Sequence, residues 1–170
     1  MIEVRDLKKS FAKKQALKGI SFQIEQGEVF GLVGPDGAGK TTTLRIMAGV
    51  LEPSGGDVFL HGNNNGSSCS GELGYMPQNF SLYEEFSVWE NIYFFGSMYG
   101  LRKKDLSSEG KEILSMVGLL DFLERSAGNL SGGMKQKLSL ACALIHRPTF
   151  LILDEPSTGL DPVSRREFWE

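Results

Sequence analysis

The chain has 170 residues, 41% of them hydrophobic and 23% charged, with a formal net charge of -3. That is enough apolar material for a buried core, and the weak acidic balance argues against disorder and gives no electrostatic footprint for nucleic acid. No apolar run approaches the roughly 20 residues that cross a bilayer, and no signal sequence precedes the first strand pattern, so a soluble chain is expected.

In chain order, the first predicted elements are antiparallel strands from Ile2 to Leu7 and from Ala16 to Ile24, where apolar and polar residues alternate. The apolar run Glu28 to Val33 predicts a buried strand. It leads into Gly34-Pro35-Asp36-Gly37-Ala38-Gly39-Lys40-Thr41-Thr42, which matches the phosphate-binding pattern G-x-x-x-x-G-K-[ST]. Thr42 to Ala48 then reads as a helix stopped at Gly49. Strand, glycine loop and helix in that order suit a polyphosphate. Gly34, Gly37 and Gly39 let the backbone come close and aim N–H groups at an anion. The first helical turn adds unpaired N–H groups and the positive end of its dipole, and Lys40 adds a full charge. Thr41 offers a hydroxyl to a magnesium ion carried by the phosphates, with Thr42 as a second hydroxyl.

Two further strands, Gly56 to Leu60 and Glu72 to Met76, flank a flexible loop from His61 to Gly71. Ser87-Val88-Trp89-Glu90 has the form of a capping box, so a helix is expected to start there and to carry Trp89, Ile92, Tyr93, Phe95 and Met98, facing the core or a partner. Past the charge run Arg102 to Asp105, read as solvated, another helix is centred on Glu112 to Val117. The cluster Leu130-Ser131-Gly132-Gly133-Met134-Lys135-Gln136 precedes apolar residues at helical spacing, and Ser131 is expected to cap that helix. Its hydroxyl, the glycine amides and the helix N-terminus make a second anion-seeking end, although an ordinary capped helix fits these residues as well. Phe150 to Leu153 reads as a strand buried on both faces, ending in Asp154 and Glu155. A carboxylate at such a strand end meets the metal of a P-loop nucleotide. Pro162 to Glu170 is helical without a stop signal, which predicts a fragment of a longer protein. Cys69 and Cys142 lack metal-ligand spacing and are read as free thiols in a reducing cytosol, and neither His61 nor His146 is expected to bind a metal.

Over essentially its whole length the chain resembles the ATP-binding subunits of ABC transporters. The Walker A loop at Gly34 to Thr42, the LSGG-x-Q signature at Leu130 to Gln136 and the Walker B strand with its following glutamate at Phe150 to Glu155 stand in that family's order and spacing. The resemblance implies an α/β fold: a P-loop NTPase core on a mixed, largely parallel sheet, with an N-terminal antiparallel β subdomain and an α-helical subdomain. One ABC ATP-binding domain, C-terminally truncated, would fill residues 1–170, with a core at about 1–85 and 146–170 and a helical subdomain at about 86–145. The implied cofactors are ATP and Mg²⁺. Gly34, Pro35, Asp36, Gly37, Ala38, Gly39, Lys40, Thr41 and Thr42 would hold the nucleotide phosphates, with Thr41, Gln78 and Asp154 at the metal. Phe11 is placed like the aromatic that stacks on adenine, or it simply packs. Glu155 would be the general base or water-positioning carboxylate, with Lys40 and Gln78 taking part in catalysis.

Ser131, Gly132, Gly133 and Gln136, with Asp161 of a D-loop at Ser157 to Asp161, would cover the nucleotide of a second ATP-binding domain, identical or related, in a head-to-tail dimer. A transmembrane permease is the other implied partner, with the chain cytoplasmic and peripheral at the inner face of the cell membrane, and no nucleic acid is expected. Asp36 replaces the asparagine common in the loop, Lys137 stands where arginine is common, and the family's switch histidine would lie past Glu170. Gly74 to Gln78, Ser81 to Asn91 and Gly133 to Leu144 resemble bacterial ABC-2 type exporters of drugs or polymers. Family members that repair DNA insert a very long coiled coil before the signature, and no heptads occur here. Ribosome-associated members are not separated from transporters by these residues, and a P-loop kinase or GTPase has no need of LSGG-x-Q. A fragment that binds ATP without turnover is the remaining alternative.

Overall fold

Alternation at the start of the chain resolves into a hairpin. In a computed structural model describing residues 1–12, 14–60, 63–64, 71–79 and 81–169, β1 (Ile2–Phe11) pairs antiparallel with β2 (Lys14–Ile24), Val4 lying opposite Phe22. On its other side β1 pairs with β3 (Gly55–Leu60), which carries the two-residue β4 (Asn63–Asn64), so the sheet order is β2-β1-β3-β4. Ile2 and Val4 share the buried face with Val58 and Leu60. Leu7 is three residues past Val4, yet a bulge with Asp6 at φ 45 returns it to that face, where it is fully buried. Helix α1 (Lys40–Met47) buries Thr43, Ile46 and Met47, the i, i+3, i+4 stripe of a helix packed on one side. The chain divides into two compact units, and these elements form the first, Met1–Cys69.

One expectation in this unit fails. Residues 28–33 join no ladder: Val29 and Val33 are 99% and 94% exposed. A strand requires a neighbour to take its N–H and C=O groups, and hydropathy alone does not supply one. The run is attached instead through Phe30, whose ring stacks on Phe22 of β2 at 5.1 Å. Within the expected loop after β3, Asn63 and Asn64 form β4, whereas His61 and Cys69 lie outside the described residues.

The second unit, Ser70–Glu170, is organised around β5 (Leu73–Met76) and β6 (Phe150–Leu153), which pair in parallel with Met76 opposite Leu153. Parallel neighbours need a crossover, and here it is helical: α2 (Val88–Met98), α3 (Lys103–Met116), two short 3-10 turns and α4 (Gly132–Leu144). Helix α5 (Pro162–Trp169) follows β6. The capping box is complete, since Glu90 N donates to Ser87 Oγ at 3.1 Å and Ser87 N donates to Glu90 Oε2 at 2.8 Å. Val88, Ile92, Leu106, Leu114, Leu138 and Ile145 form the helical core, with Trp89 and Phe95 packed against it and Tyr93 and Met98 exposed. Gly96 makes this packing possible, because a Cβ there would overlap Leu106 of α3. The run Arg102 to Asp105 is exposed for the most part, as expected, but it also builds the cap and first turn of α3, with Arg102 Nε donating to Asp105 Oδ2 at 2.8 Å.

Strand β6 departs from the expectation of burial on both faces. Phe150 and Ile152 point inward, and Leu151 is 40% exposed. Helix α4 packs against β5. Cys142 is a buried free thiol whose pKa burial pushes up. Among the described residues no helix is long and apolar enough to cross a membrane.

Candidate functional site

The glycine loop is built by backbone that side chains would spoil. Gly37 and Gly39 take φ 79 and φ 95, in the left-handed region. At Gly39 a Cβ would also stand 2.6 Å from Leu17 Cδ2 and 2.9 Å from the Ala16 carbonyl, so contact with β2 excludes any larger residue. Gly39 is the residue before α1, whose eight-residue length carries a full first turn of N–H groups outside its own ladder. Lys40 Nζ folds over the loop, donating to the carbonyls of Gly34 at 2.9 Å and Pro35 at 3.2 Å, with the Asp36 carboxylate 3.9 Å away. Buried Thr43 ties the turn down, its hydroxyl donating to Gly39 O at 3.0 Å. Phe11 ends β1 opposite Lys14, two residues before the Ala16 that touches Gly39. Its ring is 47% exposed, and Lys9 Nζ lies 5.2 Å from the ring centre. An exposed aromatic ring and an anion-seeking loop thus share one end of the hairpin.

In the second unit, parallel pairing carries the ends of β5 and β6 to one edge, where the segments holding Gln78 and Asp154-Glu155 emerge. Asp154 is fully buried, its N–H bonded to Met76 O at 3.0 Å and its Oδ2 accepting from the Tyr75 hydroxyl at 3.4 Å. Glu155 takes φ 50, a left-handed conformation that costs a non-glycine residue about 1–3 kcal/mol and persists only where the surroundings hold it. Two donors do so from the side: Gln78 Nε2 at 2.9 Å and Thr158 Oγ1 at 3.1 Å, both to Glu155 Oε2. Sequence reasoning named Gln78, Asp154 and Glu155, which the fold brings together, and missed Thr158 and Tyr75. The expected metal donors, the Thr41 hydroxyl, the Gln78 amide oxygen and the Asp154 carboxylate, are hard oxygens of the kind Mg²⁺ takes.

At the signature, Ser131 Oγ accepts from Met134 N at 3.3 Å and caps α4, as its sequence predicts. Ser131 and Gly132 are exposed, while a Cβ on Gly133 would stand 3.1 Å from Ser164 of α5. Gln136 Oε1 is buried with no hydrogen-bond partner among the described residues. Lys135 and Lys137 form ion pairs with Glu84 at 2.7 Å and with Glu167 at 3.3 Å. Asp161 caps α5, accepting from Val163 N and Ser164 N through Oδ1 and from Ser164 Oγ through Oδ2 at 2.6 Å. Those bonds, the Ser164 hydroxyl first, hold its carboxyl below the usual range.

Asn91 also escaped the sequence reading. Fully buried in the first turn of α2, it accepts from Tyr83 N at 3.0 Å and donates to the carbonyls of Tyr83 and Ser87 at 3.0 Å each. It thereby fixes the turn that follows the Gln78 segment. The available signal was an asparagine on the apolar side of a capped helix.

A family model described as "ABC transporter" matches residues 17–158. The chain is 40% identical to the probable multidrug ABC transporter ATP-binding protein YbhF of Escherichia coli, over 99% of this chain and 30% of that protein. It is 38% identical to the linearmycin resistance ATP-binding protein LnrL of Bacillus subtilis, over 100% of this chain and 56% of that protein. It therefore spans between 30% and 56% of the length of these relatives. A solved structure described as an ATP binding subunit of an ABC transporter superposes with a TM-score of 0.86 at 30% identity, covering 99% of this chain and 71% of that one. Its fold is accordingly that of an α/β P-loop NTPase. With the family model matching residues 17–158, most of its length, the chain belongs to the ABC transporter family.

Proposed function

We propose that this chain binds and hydrolyses ATP to power export across a membrane, acting with a transmembrane permease at the inner face of the membrane. The observation that carries the catalytic part is Glu155, set directly after the buried Asp154 in a left-handed conformation, with its carboxylate held by Gln78 at 2.9 Å. Such a carboxylate suits the orientation of a water in line with a γ-phosphate. Gly34 to Gly39 and the first turn of α1 hold the phosphates and Lys40 adds charge to them, while Phe11 stacks on the adenine. Thr41, Asp154 and Gln78 hold Mg²⁺, which supplies charge neutralisation on the phosphates when bound. Thr42 is the reserve hydroxyl.

Ser131, Gly132, Gly133, Gln136 and Asp161 act on the nucleotide of a second ATP-binding domain. The exposure of Ser131 and Gly132 at the N-terminus of α4 supports this reading, since a ligand from outside the chain can reach them there. Export is the favoured direction because the similar proteins are named for multidrug transport and for linearmycin resistance.

The test is Glu155→Gln in the full-length protein. Turnover should fall by about 10²–10⁴-fold, the range for a positioned proton acceptor, while ATP binding measured with a fluorescent nucleotide persists. Unchanged turnover would remove Glu155 from the mechanism.

A further inference from the structure

We propose that Thr158 is a positioning residue for the Glu155 carboxylate, a role that rests on the reading of Glu155 as the water-orienting group. Thr158 grips Glu155 twice. Its backbone N–H donates to Glu155 O at 3.0 Å, closing the turn in which Glu155 takes φ 50, and its hydroxyl donates to Glu155 Oε2 at 3.1 Å. The same residue thus fixes both the strained backbone and the end of the side chain. The second donor to that oxygen, Gln78 Nε2, comes from a segment 77 residues away in sequence, after β5. The two donors therefore differ in kind: Thr158 travels with Glu155 in one turn, whereas Gln78 reaches it from the neighbouring strand.

A glutamate has several rotatable bonds, and a carboxylate that must meet a water on a defined line loses efficiency steeply when misplaced by an ångström. Threonine suits the task because branching at Cβ restricts χ1, so its hydroxyl is delivered in few orientations. Thr158 is exposed, so its side chain is not needed to fill a core. The hydroxyl, rather than the volume, is what the geometry uses.

Three variants of the full-length protein test this. Thr158→Val keeps the shape and removes the donor, and kcat should fall by about 10–100-fold with KM for ATP unchanged, the size of loss typical of a group that orients a catalytic one. Thr158→Ser restores the donor and should recover most of kcat. In a Glu155→Gln background, Thr158→Val should cost nothing further, because the group it orients is already gone. Wild-type kcat in Thr158→Val, or equal losses in the Val and Ser variants, would overturn the proposal. So would loss of nucleotide binding along with kcat in the Val variant, which marks a structural role. If Glu155→Gln itself keeps full turnover, the underlying reading of Glu155 is what fails.

Discussion

His146 follows α4 with its ring stacked on Tyr99 at a centroid distance of 3.6 Å and Nε2 3.2 Å from Leu73 O, an arrangement that puts the proton of the neutral ring on Nε2. Nδ1 is buried with no partner among the described residues. Burial therefore lowers the pKa of the ring, opposed in part by the Leu73 carbonyl. The folded state favours neutral histidine, while the unfolded chain takes up a proton near pH 6.5, its ordinary value. Between that value and the lowered one the unfolded state binds more protons, so stability falls as pH falls through this window and levels off below it. His146→Phe keeps the stack and cannot titrate. Its melting temperature should drop less than the wild type's between pH ~7.5 and pH ~5, and equal drops would remove His146 as the cause. Residues of this kind divide by how far their partners lie along the chain. The glycine loop was legible because every requirement, from the turn at Gly37 to the charge of Lys40, lies in one contiguous stretch. Thr158 was not, because its role depends on a backbone angle at Glu155 that no composition encodes. Nor was the meeting of Gln78 with Glu155 written locally, and only a resemblance to a family anticipated it.

Elements follow the same rule with different physics. Caps and helix faces are written within a few residues, so α2 with its capping box and α4 with Ser131 start where the sequence places them. A strand depends on a partner from elsewhere, which is why residues 28–33 have the hydropathy of a strand and no ladder. Helix α2 shows how a single polar side chain can complete an element. The turn before it is bonded to the segment before α4, through Ala127 N to Phe86 O at 2.8 Å and Gly128 N to Glu84 O at 2.8 Å, and Asn91 braces that turn from the inside. Removing the Asn91 side chain takes the acceptor from Tyr83 N and one donor each from the Tyr83 and Ser87 carbonyls, which keep Phe86 N and the Asn91 backbone N–H. Asn91→Ala should destabilise the protein by about 1–3 kcal/mol, the usual cost of leaving buried polar groups unpaired. Chemical denaturation measures this, and a loss below about 0.5 kcal/mol, the scale of a surface change, would mean that the turn holds itself.

At the scale of the whole molecule, one chain carries two helix N-termini that seek anions, Gly39 to Thr42 at α1 and Ser131 to Gly133 at α4, although one nucleotide needs only one such cradle for its phosphates. The proposed head-to-tail pair of chains would use both, the second end of each chain serving the nucleotide of the other. The two ends can be disabled separately: Lys40→Ala removes the charge from the glycine loop, and Ser131→Arg blocks an exposed position at α4 while costing about 1 kcal/mol of capping. If both ends act on the same chain's nucleotide, each variant is inactive and so is their mixture. If the pairing is head to tail between copies, a mixed pair contains one site built from the intact loop of one copy and the intact signature of the other. Random pairing of equal amounts makes half the pairs mixed, and each of those has one working site of two, so the mixture should recover up to about a quarter of wild-type turnover. ATPase assays on the two full-length variants, alone and after remixing, decide the matter, and a mixture no more active than its components would rule out a second copy as the partner.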